Sequence, residues 1–422
     1  MKKLLFSSLL TFYCLTIFAQ IDWIKYSGNP VVDSTKDLTA TSAYAPKVFI
    51  DGSTYHMWYT RKTGTTRENM GYMTSTNGLS WTLVDSLAIM PSTDNTRFDF
   101  KKVGHGSVIK EGDTLKMWYW GGNTSNNAGI GFAWSLNGRN WTKVDGPGVG
   151  KSVYDITMDG SGALALAAHC VIKDGSTYKM WYSRAFLNGS NVGYRIAYAT
   201  SPNGLNWTNV SGSGTNGAVI ELGAAGKFDE AFAFFPNVIK NGSLYQMWYA
   251  GYDNVSALRE GYATSTDGIS WTKIAGNKAK GACIDSGGGG SVTMVGNLYR
   301  MWYSSTNPGG FGYATSGTST SIKSVSDLNN FHLFPNPASN LFTIQLNTDK
   351  AFKVEIMNLS GQKISEAILH NGSEIDCSLW NKGIYVLKIT TEKNEVIYRK
   401  IMIENNLLLI ILNNKKEVIL YE

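Results

Sequence analysis

"KDGSTYKMWYS", residues 173–183, reads as two short strands joined at Asp174-Gly175 and closing on Met180-Trp181-Tyr182. β-Branched and aromatic residues alternate with polar ones on either side of an Asx-Gly pair, the strongest short-range hairpin signal. The phrase is written five times: VFIDGSTYHMWYT (48–60), VIKEGDTLKMWYW (108–120), VIKDGSTYKMWYS (171–183), VIKNGSLYQMWYA (238–250) and VTMVGNLYRMWYS (292–304). A second hairpin phrase follows each of the first four: GYMTSTNGLSWT, GFAWSLNGRNWT, AYATSPNGLNWT and GYATSTDGISWT. Each unit of some 60 residues supplies four antiparallel strands, and such a unit repeated with aromatics at fixed points predicts a β-propeller.

The fifth unit stops at FGYATSG (311–317) without its last strand, while DWIKYSGNP (22–30) matches SWTKIAGNK (270–278). An N-terminal strand carrying Trp23 is therefore expected to close the last of five blades, which removes exposed sheet edges. Trp58, Trp118, Trp181, Trp248 and Trp302 recur at one strand position and read as packing between blades rather than sugar platforms. The S-x-[Asn/Asp]-G-x-x-W turns are similar to the Asp-box of sialidases but one residue shorter before the glycine. They read as tight turns with a packing tryptophan.

Glycine (45 residues) and aromatics (12%) are plentiful and charge is sparse (17%), which suits all-β structure over helical bundles or disorder. A net charge of +6 with no basic block argues against nucleic acid. Residues 1–20, MKKLLFSSLLTFYCLTIFAQ, have the order of a secretory signal peptide. The mature chain keeps Cys170, Cys283 and Cys377, an odd number without zinc spacing, so neither a disulfide framework nor a zinc site is expected.

Loop lengths distinguish the two faces of the disc. Turns inside the hairpin phrases are short and uniform; connections between phrases and between units are long, variable and emerge on one face, where function concentrates. Each loop leading into an innermost strand holds a carboxylate: Asp33 and Asp37, Asp99, Asp155 and Asp159, Asp229 and Glu230, Asp285. His105 and His169 start their inner strands and are expected near the axis. Glycosidic cleavage needs two facing carboxylates, one acid and one base or nucleophile. Asp99, Asp229, Glu230, His105 and His169 are the candidate catalytic residues; Asp37, Tyr44, Arg61, Trp120, Asp155, Arg184 and Arg259 are candidate substrate contacts. With Arg67, Arg195, Lys101 and Lys102 the arginines form a cationic rim suited to uronate- or sulfate-bearing glycans. The plainer alternative makes the aspartates turn or capping residues, the rim solvated surface and the histidines channel filling. No cofactor is implied, although Asp-rich loops would admit an axial cation such as calcium.

On the phrases P-x-V-hairpin-x-x-Y-x-M-W-Y and S-x-D-G-x-x-W-T, residues 21–317 resemble the five-bladed propellers of the arabinanase, levansucrase and invertase group of glycosidases. In that group the general base is an aspartate directly before the first inner strand, in a D-P-x-V setting. The matching residue is Ala45, and the next two units place His105 and Ala168 there, so the carboxylate triad does not carry over. Some relatives of this fold use a histidine as acid, which retains His105 and His169. After a Ser/Thr-rich linker (318–327) come FHLFPNPASNLFTIQL, VEIMNLSGQKI and SLWNKGIYVLKITTEKNEVIYRKIMI. These resemble the C-terminal sorting domain of the type IX (Por) secretion system, which implies a small β-sandwich over 328–403 and release or attachment outside the cell. The tail 404–422, ENNLLLIILNNKKEVILYE, is atypical of such domains; its apolar run is too short to span a bilayer.

The expected protein is a secreted, monomeric, glycosidase-like propeller acting on an extracellular polysaccharide or oligosaccharide, with the type IX machinery as its other partner. The alternative is a non-catalytic glycan-binding or adhesion propeller at the cell surface. A third reading, polysaccharide lyase chemistry, would use His105 or Tyr44 as base.

Overall fold

The computed structural model describes residues 21–317 and 331–404, except positions 34–35, 38–39, 65–66, 124–127, 189–190, 254, 256–257, 297, 307–308, 347–349, 359–361 and 393–395. The expected signal peptide, linker and tail after Glu404 lie outside the described residues. The chain divides into two units, Met1–Ser319 and Thr320–Glu422.

In the first unit the strand pairings form five antiparallel groups of four. Blade 1 comprises Ser42–Asp51, Thr54–Thr63, Arg67–Ser75 and Thr82–Ile89; blade 2, Lys102–Glu111, Thr114–Gly122, Ala128–Ser135 and Thr142–Val144. Blade 3 comprises Ala165–Asp174, Thr177–Asn188, Asn191–Ser201 and Thr208–Val210; blade 4, Phe232–Asn241, Leu244–Tyr252, Arg259–Ser265 and Thr272–Ile274. Blade 5 holds Gly287–Val295, Leu298–Thr306 and Gly309–Gly317. Its outer strand is the N-terminal Asp22–Lys25, with Trp23 opposite Ser316. The first strands of successive blades touch in a closed cycle, so the unit is a β-propeller with those strands around its axis. The hairpin turns need glycine because Gly52, Gly112, Gly175, Gly242 and Gly296 all hold φ between 57 and 61°.

The five repeated tryptophans are fully buried. Each removes about 150–250 Å² from water, worth at most about 4–6 kcal/mol at ~25 cal/mol per Å². Their indole N–H groups also join the blades. Trp302 donates to Gly78 O (2.7 Å), Trp58 to Gly138 O (2.8 Å), Trp118 to Gly204 O (2.7 Å) and Trp181 to Gly268 O (2.8 Å). These glycines belong to the S-x-x-G-x-x-W turns of the next blade, whose own Trp81, Trp141, Trp207 and Trp271 donate to the same carbonyls. The turn is thus a blade-joining device. Among the described residues blade 5 has no such turn, and the buried N–H of Trp248 has no partner there but lies against the Trp23 ring, 6.1 Å away.

The second unit is a β-sandwich. One sheet pairs Phe331–Phe334, Leu341–Leu346 and Ser373–Asp376; the other orders Lys363–Leu369, Phe352–Asn358, Gly383–Thr390 and Val396–Ile403. Alternation along each strand turns Phe342, Ile344, Val354, Ile356, Leu387 and Ile389 inward to one apolar core.

Candidate functional site at the axial mouth

Every inner strand begins with a break in pairing, between Tyr44/Lys47, Gly104/Ser107, Leu166/His169, Phe234/Asn237 and Gly288/Ser291. Such bulges re-aim side chains, and here they turn Ala45, His105, Ala168, Phe235 and Gly289 onto an axial cavity of about 30 Å³. Four of these residues are left-handed: Ala45 (φ 51°), His105 (49°), Phe235 (53°) and Gly289 (66°). That conformation is rare for residues with a side chain. Hydroxyls on the preceding blade hold it in place: Ala45 N donates to Ser304 Oγ (2.9 Å), His105 N to Thr60 Oγ1 (2.9 Å) and Phe235 N to Ser183 Oγ (3.0 Å).

Blade 4 has Ala250 at the position of those hydroxyls, and Glu260 opposite it takes over their role. Gly290 N lies 3.5 Å from Glu260 Oε2, and the Gly289 amide also faces that carboxyl. Glu260 is fully buried, its Oε1 has no hydrogen-bond partner among the described residues, and burial pushes its pKa up to about 8. Sequence reasoning missed this residue. The signal lay in the third strands, NMGYMTS, GIGFAWS, RIAYATS, REGYATS and GFGYATS, where Glu260 replaces Met70, Ile130, Ile196 and Phe311.

From His105 and Phe235 on the cavity a belt of partly exposed rings leads away. His105 meets Tyr44 at 5.5 Å, Trp120 at 5.7 Å and Phe235 at 5.0 Å. Phe235 continues to Phe234 (4.7 Å), Phe234 to Tyr194 (5.8 Å), Tyr194 to Phe232 (5.4 Å) and Phe232 to Tyr252 (5.5 Å). His169 also reaches the axis and bonds Trp118 O through Nε2 at 2.9 Å. Burial lowers the pKa of His105 to about 4 and of His169 to about 3, so both are neutral at pH 7. Burial and the Glu68 carboxylate hold the Tyr44 hydroxyl well above its ordinary pKa, which makes it a poor lyase base.

The expected catalytic carboxylates are elsewhere. Asp99 and Asp229 are buried between strands, each accepting from the tyrosine of an M-W-Y phrase: Tyr119 at 3.0 Å and Tyr249 at 2.9 Å. Lys143 (2.5 Å) and Lys273 (2.6 Å), from the outer strands, supply the countercharge. Blades 1 and 3 build the same cluster from Tyr59, Asp37 and Arg61, and from Tyr182, Asp159 and Arg184. The cation moves but its charge is kept. Arg61 and Arg184 follow the tyrosine by two residues, where blades 2 and 4 have Gly121 and Gly251; the outer strands then have Leu83 and Asn209 in place of lysine.

Asp155 caps the short helix Ile156–Asp159, Glu230 accepts from Gly226 N in its own loop, and Arg259 pairs with Asp253 and Asp285. The structure therefore brings His105 and His169 to the axis, with Tyr44 and Trp120 in ring contact with His105. It places Asp99, Asp229, Asp37, Arg61, Asp155 and Arg184 in internal contacts, because each buried charge requires a partner, and ties the half-buried Glu230 and Arg259 to neighbouring loop groups. Among the described residues no group of three or more His, Cys, Asp or Glu is arranged to hold a metal.

A propeller and a separate sandwich with a sorting signature define a secreted protein with a glycosidase-like fold. Residues 332–404 match the secretion system C-terminal sorting domain, which marks the chain for type IX export to the cell surface or extracellular space. Over 239 residues the chain is 25% identical to the uncharacterized protein Rv1502 of Mycobacterium tuberculosis, covering 54% of this chain and 73% of that protein. Its fold is similar to a glycosyl hydrolase from Bacteroides ovatus (TM-score 0.53, 13% identity, 70% of this chain and 94% of that one). It is also similar to a solved structure described as a glycoside hydrolase (TM-score 0.52, 19% identity, 65% and 86%).

Proposed function

We propose that this secreted propeller engages an extracellular polysaccharide at its axial mouth and holds it without cleavage by a pair of facing carboxylates. The belt of partly exposed rings around His105 carries this reading. Aromatic rings present flat apolar faces to the C–H side of a sugar while their edges and nearby polar groups stay wet. None of the five residues turned onto the axis, Ala45, His105, Ala168, Phe235 and Gly289, is a carboxylate.

A second reading, glycoside hydrolysis, is favoured by Glu260, a carboxyl protonated at neutral pH directly behind the Gly289-Gly290 wall of the cavity. The test is to assay the full-length chain on neutral and anionic polysaccharides for retention in affinity electrophoresis and for release of reducing ends. Retention without release is expected. Release that disappears in Glu260→Gln would establish hydrolysis instead.

A further inference from the structure

The outer-strand tryptophans fall into two sets. Trp23, Trp81 and Trp207 are buried, whereas Trp141 and Trp271 are partly exposed. Trp207 directly precedes the strand Thr208–Val210, which is covered by the helix Ile156–Asp159, with Asn209 Nδ2 bonded to Asp159 O at 2.8 Å. Trp271 instead lines a groove of about 520 Å³ between its blade and the connection from blade 3, and Trp141 lines one of about 430 Å³ in the matching place on blade 2. Both volumes fall in the range of small-ligand sites, about 300–1,000 Å³. The same lysine bridge braces both grooves: Lys273 donates to Glu221 O (2.6 Å) and Lys143 to Met90 O (2.7 Å).

The two grooves differ in charge. In the Trp271 groove Lys273 is matched by Asp229, Lys280 by Asp253 and Glu221 by Arg195. Lys227 is exposed, lines the groove and has no ion pair among the described residues. The indole of Trp271 stands at 85° to Trp181 and its N–H is taken by Gly268 O, so it offers the groove apolar ring surface. In the Trp141 groove Lys143 is already paired with Asp99, and the other walls include Leu87 and Met90.

We propose that the Trp271 groove is a second glycan-binding site, away from the axis, for a sugar residue bearing an anionic group. The indole stacks on the ring and Lys227 meets the carboxylate or sulfate. The Trp141 groove lacks the unmatched cation and does not select for charge. This proposal rests on the reading that the protein binds polysaccharide, and it identifies the charge class that one of its sites accepts.

The test is affinity electrophoresis of the full-length chain in gels carrying polygalacturonate, a sulfated galactan or neutral arabinan. Lys227→Glu should weaken retention about ten-fold on an anionic polysaccharide and leave arabinan unchanged, since one charged contact is worth roughly that factor. Which anionic gel responds separates carboxylate from sulfate. Trp271→Ala should show the same loss, and because Trp271 also packs on Trp181, the exposed Lys227→Glu keeps the test independent of folding. Trp120→Ala is run alongside to report the axial mouth. Retention on anionic gels that is unchanged in Lys227→Glu but lost in Trp120→Ala overturns the groove and leaves the axial reading standing. Wild type that no gel retains overturns both.

Discussion

Trp302, in the last repeat, donates its indole N–H to Gly78 O in the first repeat at 2.7 Å, across 224 residues of chain. The same bond joins each blade to the next until blade 4, where Trp248 meets a strand from the N-terminus and its N–H has no partner among the described residues.

Trp302→Phe and Trp248→Phe should therefore differ in cost. Both leave a similar void in a fully buried site, but only the first also loses a hydrogen bond, worth about 1 kcal/mol. Denaturant unfolding of the two variants should place Trp302→Phe about 1 kcal/mol lower. Equal losses would show that these bonds do not join the blades energetically.

Asp99→Asn and Asp229→Asn should act on stability. Each replaces a buried carboxylate that accepts from a tyrosine and pairs with a half-exposed lysine, Lys143 or Lys273, and losing those charge-assisted bonds costs about 1–3 kcal/mol. Adding Lys273→Met to Asp229→Asn should cost less than the sum of the two single losses, because the first substitution has already broken the pair. A double variant as unstable as the sum of its parts would contradict the pairing.

Glu260 makes stability depend on pH. Its folded pKa, about 8, lies above the ordinary 4.5, so between those values the folded chain keeps a proton that the unfolded chain has released. Stability contributed by the protonated carboxyl is full below pH 4.5 and is lost as pH rises through 8. Glu260→Gln keeps an acceptor for Gly290 N and cannot ionise. It should match wild type near pH ~5 and exceed it by a few kcal/mol near pH ~8. A constant difference across that range would mean the carboxyl ionises normally.

The propeller was legible in the sequence because each strand is repeated with the same alternation, and because DWIK repeats the pattern of SWTK closely enough to show where the N-terminus pairs. The axial placement of His105 and His169 followed from their position at the start of inner strands. The fate of the carboxylates did not follow from loop position, since a buried aspartate that pairs a lysine and one that faces solvent occupy the same stretch. What distinguishes them is spread over three strands: Tyr59 with Arg61, or Tyr119 with Lys143, must be compared across blades before the cluster emerges. Glu260 stood out only against the apolar residues of its four counterparts.

The most direct test of the account is the affinity of the full-length chain for whichever polysaccharide retains it, measured by calorimetric titration for wild type and Trp120→Ala. A loss of about ten-fold or more, measured well below the variant's thermal midpoint because Trp120 also donates to Leu166 O at 2.9 Å, is expected if the ring belt is the binding surface. Unchanged affinity would contradict it and remove the axial mouth as the site.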